Sequence, residues 1–265
     1  MPPLFPIPIN HLCLFMIHLH NLNLSPATIR TYLSAISFVH KLHQQPDPSS
    51  TYVIGKTLQG IRNQQQTPQP QLLPITKPIL HTLVAALPFA VRDHFQLLLW
   101  RSIFLLTFHG CLRAGEVTLA SNREHVIQLD QVTITGQSIT ITFRSYKHSR
   151  GTTPTIVINA TGTHSTCPVV ALQKYLDTRG PSLGHLYTHQ DSSTATRSQF
   201  STVLKTTATL SSLPAERYNT HSFRAGRATQ MASDGLSDQV IRSAGRWKST
   251  AYQRYIRPTD VTLPS

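Results

Sequence analysis

His221-Ser-Phe-Arg224-Ala-Gly-Arg227 and, further on, Gly245-Arg-Trp247-Lys-Ser-Thr-Ala-Tyr252-Gln-Arg-Tyr255-Ile-Arg257 hold most of the distinctive chemistry of this chain. His221 and Arg224 stand at i and i+3, so a helix through them carries both on one face. The second segment packs cations, an indole and two phenols into one short run. Helical patterns fit both segments, at Ser222–Ser233, Asp238–Ala244 and Thr250–Ile256. Far upstream, Leu112-Arg113-Ala-Gly-Glu116 places an arginine just behind an apolar helix, where its guanidinium can face a cleft. Lys147 sits in Phe143-Arg-Ser-Tyr-Lys147-His-Ser-Arg150, at the end of an alternating strand where a hairpin turn projects it.

The rest of the chain frames these segments. Leu12, Phe15, Met16 and Leu19 recur with helical spacing. Ser25 is a good N-cap with Pro26 at the first helical position, and Ile29, Tyr32, Leu33, Ile36 and Val39 form one stripe. Val53, Leu58 and Ile61 predict a third, shorter helix. Asn63–Pro74, rich in Gln and Pro, reads as a linker. Helices follow at Thr76–Leu87 and Ala90–Phe108, the latter stopped near Gly110. Val132–Thr135, Ser138–Phe143 and Thr155–Ile158 alternate apolar residues with Thr or Ser, with turns at Gly136 and Gly151. Helices return at Pro168–Asp177 and Ser198–Ser211. The expected fold is mainly α with a small antiparallel β-sheet. Its parts are a helical domain over 1–65, a linker over 66–74 and a larger domain over 75–265.

With 265 residues and 40% apolar side chains, the chain can bury a core. Lys and Arg number 24 against 11 Asp and Glu, a formal charge of +13 that favours a polyanion such as nucleic acid. Three cysteines are too few and too far apart for a disulfide framework. The longest apolar segment, Phe95–Phe108, contains Arg101 and is too short for a membrane span. The His residues lack zinc-type spacing: neither His18 with His20 nor His109 with Cys111 has the partners a metal needs. No metal or other cofactor is expected.

Two arginines, a lysine, a histidine and a tyrosine, with no carboxylate pair and no metal-ligand cluster, form an unusual set. Arginine forks match phosphate oxygens bidentately. A phenol is a poor nucleophile at its ordinary pKa, but cations around the attacked phosphate favour its phenolate. The set suits phosphoryl transfer to a tyrosine without a metal. Blander readings exist for several members. Arg113 and Glu116 also fit a surface ion pair, Arg144 and Arg150 compete with Lys147 at the turn, and Trp247 fits a core aromatic.

In their order, Arg113, Lys147, His221-x-x-Arg224, Trp247 and Tyr255 resemble the active site of the tyrosine recombinases, the phage-integrase-like DNA breaking–rejoining enzymes. The segments quoted first are most similar to recombinases of eukaryotic mobile elements of the Crypton and DIRS type. The resemblance implies a helical, SAM-like core-binding domain over about residues 10–65 and an α+β catalytic domain over about 73–260. By the same resemblance, Tyr255 attacks the scissile phosphate, and Arg113 and Arg224 clamp its non-bridging oxygens. Lys147 protonates the departing 5′-oxygen, and His221 accepts or holds the tyrosine proton. Trp247 stands where bacterial members have a histidine, and Glu116 has a supporting role. Tyr255 follows Trp247 by eight residues where nine is usual, so the intervening loop must absorb about 100° of helical rotation. Tyr252 is the competing nucleophile but lies too close to Trp247.

The implied function is DNA recombination or integration for a mobile element, through a 3′-phosphotyrosyl intermediate. The implied partners are double-stranded DNA and further copies of the chain, as a homo-tetramer on two DNA sites, with no membrane and no small-molecule substrate. Nuclear localisation is expected from the resemblance and the basic charge. The rival is a catalytically inactive DNA-binding protein derived from such an element; a type IB topoisomerase shares the chemistry but not the separate helical domain.

Overall fold

The computed structural model describes residues 5–64, 71–120, 125–144, 154–247, 249–254 and 256. The chain divides into two compact units, Met1–Gln69 and Pro70–Ser265. In the first, α1 (Ile9–Asn21), α2 (Pro26–Leu42) and α3 (Tyr52–Gln64) enclose Leu12, Met16, Leu19, Ile29, Leu33, Ile54, Leu58 and Ile61. Ser25 caps α2 as its sequence predicts, accepting from the Thr28 amide at 3.1 Å.

A polar knot closes the loop between α2 and α3. Asp47 accepts from the Ser37 hydroxyl at 2.6 Å, from the Ser49 hydroxyl at 2.6 Å and from the Ser49 amide at 3.0 Å. Burial raises its pKa, but these bonds outweigh it, with Lys41 helping, and the carboxyl falls from 3.8 to about 2. A carboxyl depressed on folding contributes stability above its unfolded pKa and loses it as pH falls through the folded one. The first unit therefore loses about 1 kcal/mol between about pH 4 and pH 2 from this group, after screening. Acid titration of its unfolding free energy reads this, and Asp47→Asn removes the step.

The second unit is built around α5 (His94–His109), buried from Leu98 to Phe108 at every position but Arg101. A helix buried on nearly all sides is central to its unit. It packs against α4 (Lys77–Ala90), α7 (Pro168–Arg179) and α9 (His221–Ser233), while α8 (Arg197–Leu210) covers α4. Each fully buried Leu, Ile or Phe of α5 stabilises the fold by about 1.5–3 kcal/mol. The helix expected over Ala90–Phe108 begins later, at His94, because the Asp93 carboxylate caps it, accepting from the Gln96 amide at 2.8 Å.

β1 (Val132–Ile134), β2 (Ser138–Thr142) and β3 (Thr155–Asn159) form an antiparallel meander in that order. Ile139 faces Ile158 and Ile141 faces Ile156 across β2 and β3, which sets the apolar side of the pleat on the core. Part of the expected linker belongs to this unit. The Leu73 amide donates to Arg217 O at 2.8 Å, and the Ile75 amide to Ser222 O at 2.9 Å. α6 (Ala114–Val117) and α10 (Asp238–Gly245) complete the unit, and the helix expected over Thr250–Ile256 is instead a 3-10 turn, Thr250–Arg254. Among the described residues no helix is long and apolar enough to cross a membrane.

Candidate active site

Chain reversals at the ends of two helices bring the distant motifs together. At the end of α5, Gly110 ends the helix and Cys111 takes a left-handed conformation, φ 48°. Arg113 then opens α6, and the Glu116 carboxylate reaches back to it. Glu116 Oε2 accepts the Arg113 amide at 2.8 Å and Oε1 accepts its Nη1 at 3.0 Å. Glu116 is buried while Arg113 keeps part of its side chain open to solvent.

Arg224 lies on the inner face of α9, 2% exposed. Nη1 donates to Cys111 O, and Nη2 donates to Gly245 O. Its guanidinium stacks on the Trp247 ring, 4.2 Å from the centroid. One side chain thus ties the end of α5 to the end of α10. Burial lowers its pKa from 12.5 to about 10, with repulsion from Arg113 and Arg246 adding and Cys111 and Glu116 opposing. It stays charged at neutral pH. The same burial pushes the Cys111 thiol up, so this cysteine stays protonated.

Trp247 follows a helix end that has no room to spare. A Cβ on Gly245 would lie 1.8 Å from the Trp247 ring, so only glycine lets the indole fold back against α10. Between them Arg246 adopts φ 54° and ψ 43°, and its Nη2 donates to Glu116 Oε2 at 2.6 Å. Its guanidinium also stacks over Phe143, 4.4 Å from the centroid. Glu116 therefore joins Arg113 and Arg246, which are 133 residues apart in the chain.

His221 is the first residue of α9 and exposed. Its amide donates to Asn219 Oδ1 at 2.8 Å, and its Nε2 lies 3.5 Å from Arg197 Nη2. Arg197, at the start of α8, is a cation that sequence reading did not single out. Of the expected residues, the structure gathers Arg113, Arg224 and Trp247 into one cluster. His221 stands three positions before Arg224 on α9. Lys147 and Tyr255 lie outside the described residues. Arg144 is engaged elsewhere, its Nη2 2.5 Å from Asp130 Oδ2.

Tyr252 is a packing residue. Its ring is buried with Met231 and Ile241 and lies 6.0 Å from the Trp247 ring. A hydrogen bond to the Asp238 carboxylate pushes its phenol pKa up, and burial adds to this. Both effects disfavour a phenolate. Among the described residues no group of three or more His, Cys, Asp or Glu is placed to hold a metal.

No protein-family model and no curated protein matches the chain. Solved structures do. The chain is similar to the integrase of the Tn1549 transposon in complex with transposon right-end DNA, with TM-score 0.65 and 14% identity over 97% of this chain and 82% of that one. It is similar to XerH site-specific recombinase bound to its difH substrate, with TM-score 0.63 and 17% identity over 95% of this chain and 67% of the other. A lambda integrase dimer bound to a core site matches with TM-score 0.56 and 13% identity, over 96% of this chain and 65% of that one. At these identities the likeness concerns architecture. The mainly helical chain, with its three-stranded antiparallel sheet, has the fold of the tyrosine recombinases.

Proposed function

We propose that this chain is a tyrosine-type DNA recombinase or integrase that cleaves and rejoins duplex DNA through a 3′-phosphotyrosyl intermediate. One observation carries the reading: Arg113 and Arg246 are both paired to a single carboxylate, Glu116, and the buried Arg224 lies within electrostatic reach of all three, at a site formed by three separate segments. Three guanidiniums against one carboxylate leave an excess of two positive charges, mostly buried. Uncompensated buried charge is costly, so the arrangement suits an anion that arrives with its substrate. A phosphodiester brings one negative charge, and the five-coordinate phosphorane formed during attack brings two. The cluster therefore favours the transition state over the ground state.

In this mechanism the Tyr255 oxygen attacks phosphorus, forming the O–P bond while the bond to the 5′-oxygen breaks. Arg113 and Arg224 hold the non-bridging oxygens. His221 accepts the phenol proton, and Lys147 delivers one to the leaving 5′-oxygen. Trp247 keeps the Arg224 fork in plane and donates its indole N–H. Rejoining runs the same steps with a 5′-hydroxyl as nucleophile, and the phosphotyrosyl bond conserves the energy. The engagement of Tyr252 with Asp238 supports Tyr255 as the attacking residue. The excess basic charge supports duplex DNA as partner, held through its backbone with strong salt dependence. Assembly as a homo-tetramer on two sites, a mobile-element origin and a nuclear location belong to the same proposal.

The test is covalent trapping from a nicked, random-sequence duplex pool without magnesium, quenched with SDS. A protein–DNA adduct that protease removes is the expected result. A protein that shifts DNA on a native gel yet yields no adduct from any pool is the inactive DNA-binding form instead.

A further inference from the structure

Arg246 is buried more completely than any use described so far requires. Its side chain is 5% exposed, and Nη2 is bonded to Glu116. Nε and Nη1 are equally shut off from solvent and have no hydrogen-bond partner among the described residues. Its backbone is left-handed at the C-cap of α10, a conformation that favours glycine and costs other residues about 1 kcal/mol. An arginine is thus held in a strained backbone position, with part of its guanidinium desolvated and unpaired among the described residues. Both costs are recovered if an anion completes its shell. Phe143 covers one face of the guanidinium and Glu116 fixes one nitrogen, so the free N–H groups have a set direction.

Resting on the recombinase reading, we propose that Arg246 is a third guanidinium ligand of the scissile phosphate. Its Nη1 donates to a non-bridging oxygen while its Nη2 remains on Glu116. Arg246 then has two effects: it neutralises charge on the phosphorane, and through Glu116 it orients Arg113.

A duplex recovered from the trapping pool is prepared twice, once with its natural linkage and once with a methylphosphonate at the cleaved position. Replacing one charged oxygen by methyl removes a negative charge, so a site lacking one cation should handle the neutral linkage better. Arg246→Ala and Arg246→Gln lose about 100-fold in adduct formation on the phosphodiester, the usual effect of removing one transition-state donor. Both recover most of that on the methylphosphonate. Arg246→Lys keeps a cation opposite Glu116, loses less, and gains little from the neutral linkage. Thermal unfolding of each variant is followed in parallel, and Arg246→Gln serves if the alanine variant is unfolded. Equal loss on both linkages would mean that Arg246 only braces Glu116, and wild-type rates in the variants would mean that it does nothing at the phosphate. Either result overturns the inference while leaving the recombinase reading intact. A wild-type protein that forms no adduct takes down both.

Discussion

On the recombinase reading, Arg224→Ala should cut DNA cleavage severely and loosen the fold in the same step. The side chain donates to two backbone carbonyls from different segments and stacks on Trp247, all from a position 2% exposed. Its removal leaves Cys111 O and Gly245 O without those donors and opens a void under the indole. Leaving a buried acceptor unsatisfied typically costs about 1–3 kcal/mol, and two are affected here. The chemical loss is larger. One transition-state donor contributes about 10²–10³ in rate, and a two-pronged guanidinium contributes the upper end or beyond. Adduct formation should fall by about 10³-fold or more. DNA affinity should change only a few-fold, because backbone contacts spread over the whole basic surface supply it. Arg224→Lys separates the two effects. It restores a charge but not a planar fork, so more stability than activity returns. Adduct rates, gel shifts and unfolding midpoints on the same three proteins read all of this.

Gly226→Ala should be the most damaging glycine-to-alanine change among the described residues. Gly226 lies on α9 where the strand-like segment before α4 crosses it. A Cβ there would sit 1.7 Å from Ile75 O and 2.4 Å from its carbonyl carbon. No side-chain rotation relieves a clash with backbone. The segment must move off the helix, breaking the bonds from Leu73 to Arg217 and from Ile75 to Ser222 and exposing a fully buried Ile75. Alanine is the better helix former by about 1 kcal/mol, but the clash outweighs that several times. The expected loss exceeds about 4 kcal/mol, a drop of roughly 10–15 °C for a unit of this size. Gly55→Ala is the control. It lies within α3 with nothing within 4 Å of its Cβ, so the same change should stabilise the first unit by about 0.5–1 kcal/mol. Calorimetry of the two variants decides the matter.

The contrast between these positions shows what the sequence could and could not convey. Periodicity places most helices because a helix that packs on one side repeats its apolar residues. α6, with four residues, is too short to have a period, although it carries the Glu116 that organises the site. The Asp93 cap was visible as a residue type, yet the apolar run on either side concealed the break. Arg113, Arg224 and Trp247 could be picked out because their order is distinctive, and they do cluster. Arg246 was overlooked in the middle of a quoted motif. A cation in a basic run looks like a solvated one, and only the left-handed turn after Gly245 sends it inward. The pairing of Glu116 with Arg246 could not be read from spacing, since 130 residues separate them. Spacing from Trp247 favours Tyr255 over Tyr252 in the sequence; what spacing could not convey is that Tyr252 is buried beside Asp238.

In the proposed reaction a tyrosine of this chain takes DNA onto itself, and that tyrosine is Tyr255. The most direct measurement digests the trapped adduct with nuclease and protease and locates the nucleotide-bearing peptide by mass spectrometry, with Tyr255→Phe and Tyr252→Phe run beside the wild type. The expected result is a 3′-nucleotide on Tyr255, an adduct absent from Tyr255→Phe and an adduct retained in Tyr252→Phe. A nucleotide on Tyr252, or an adduct that survives Tyr255→Phe, contradicts it.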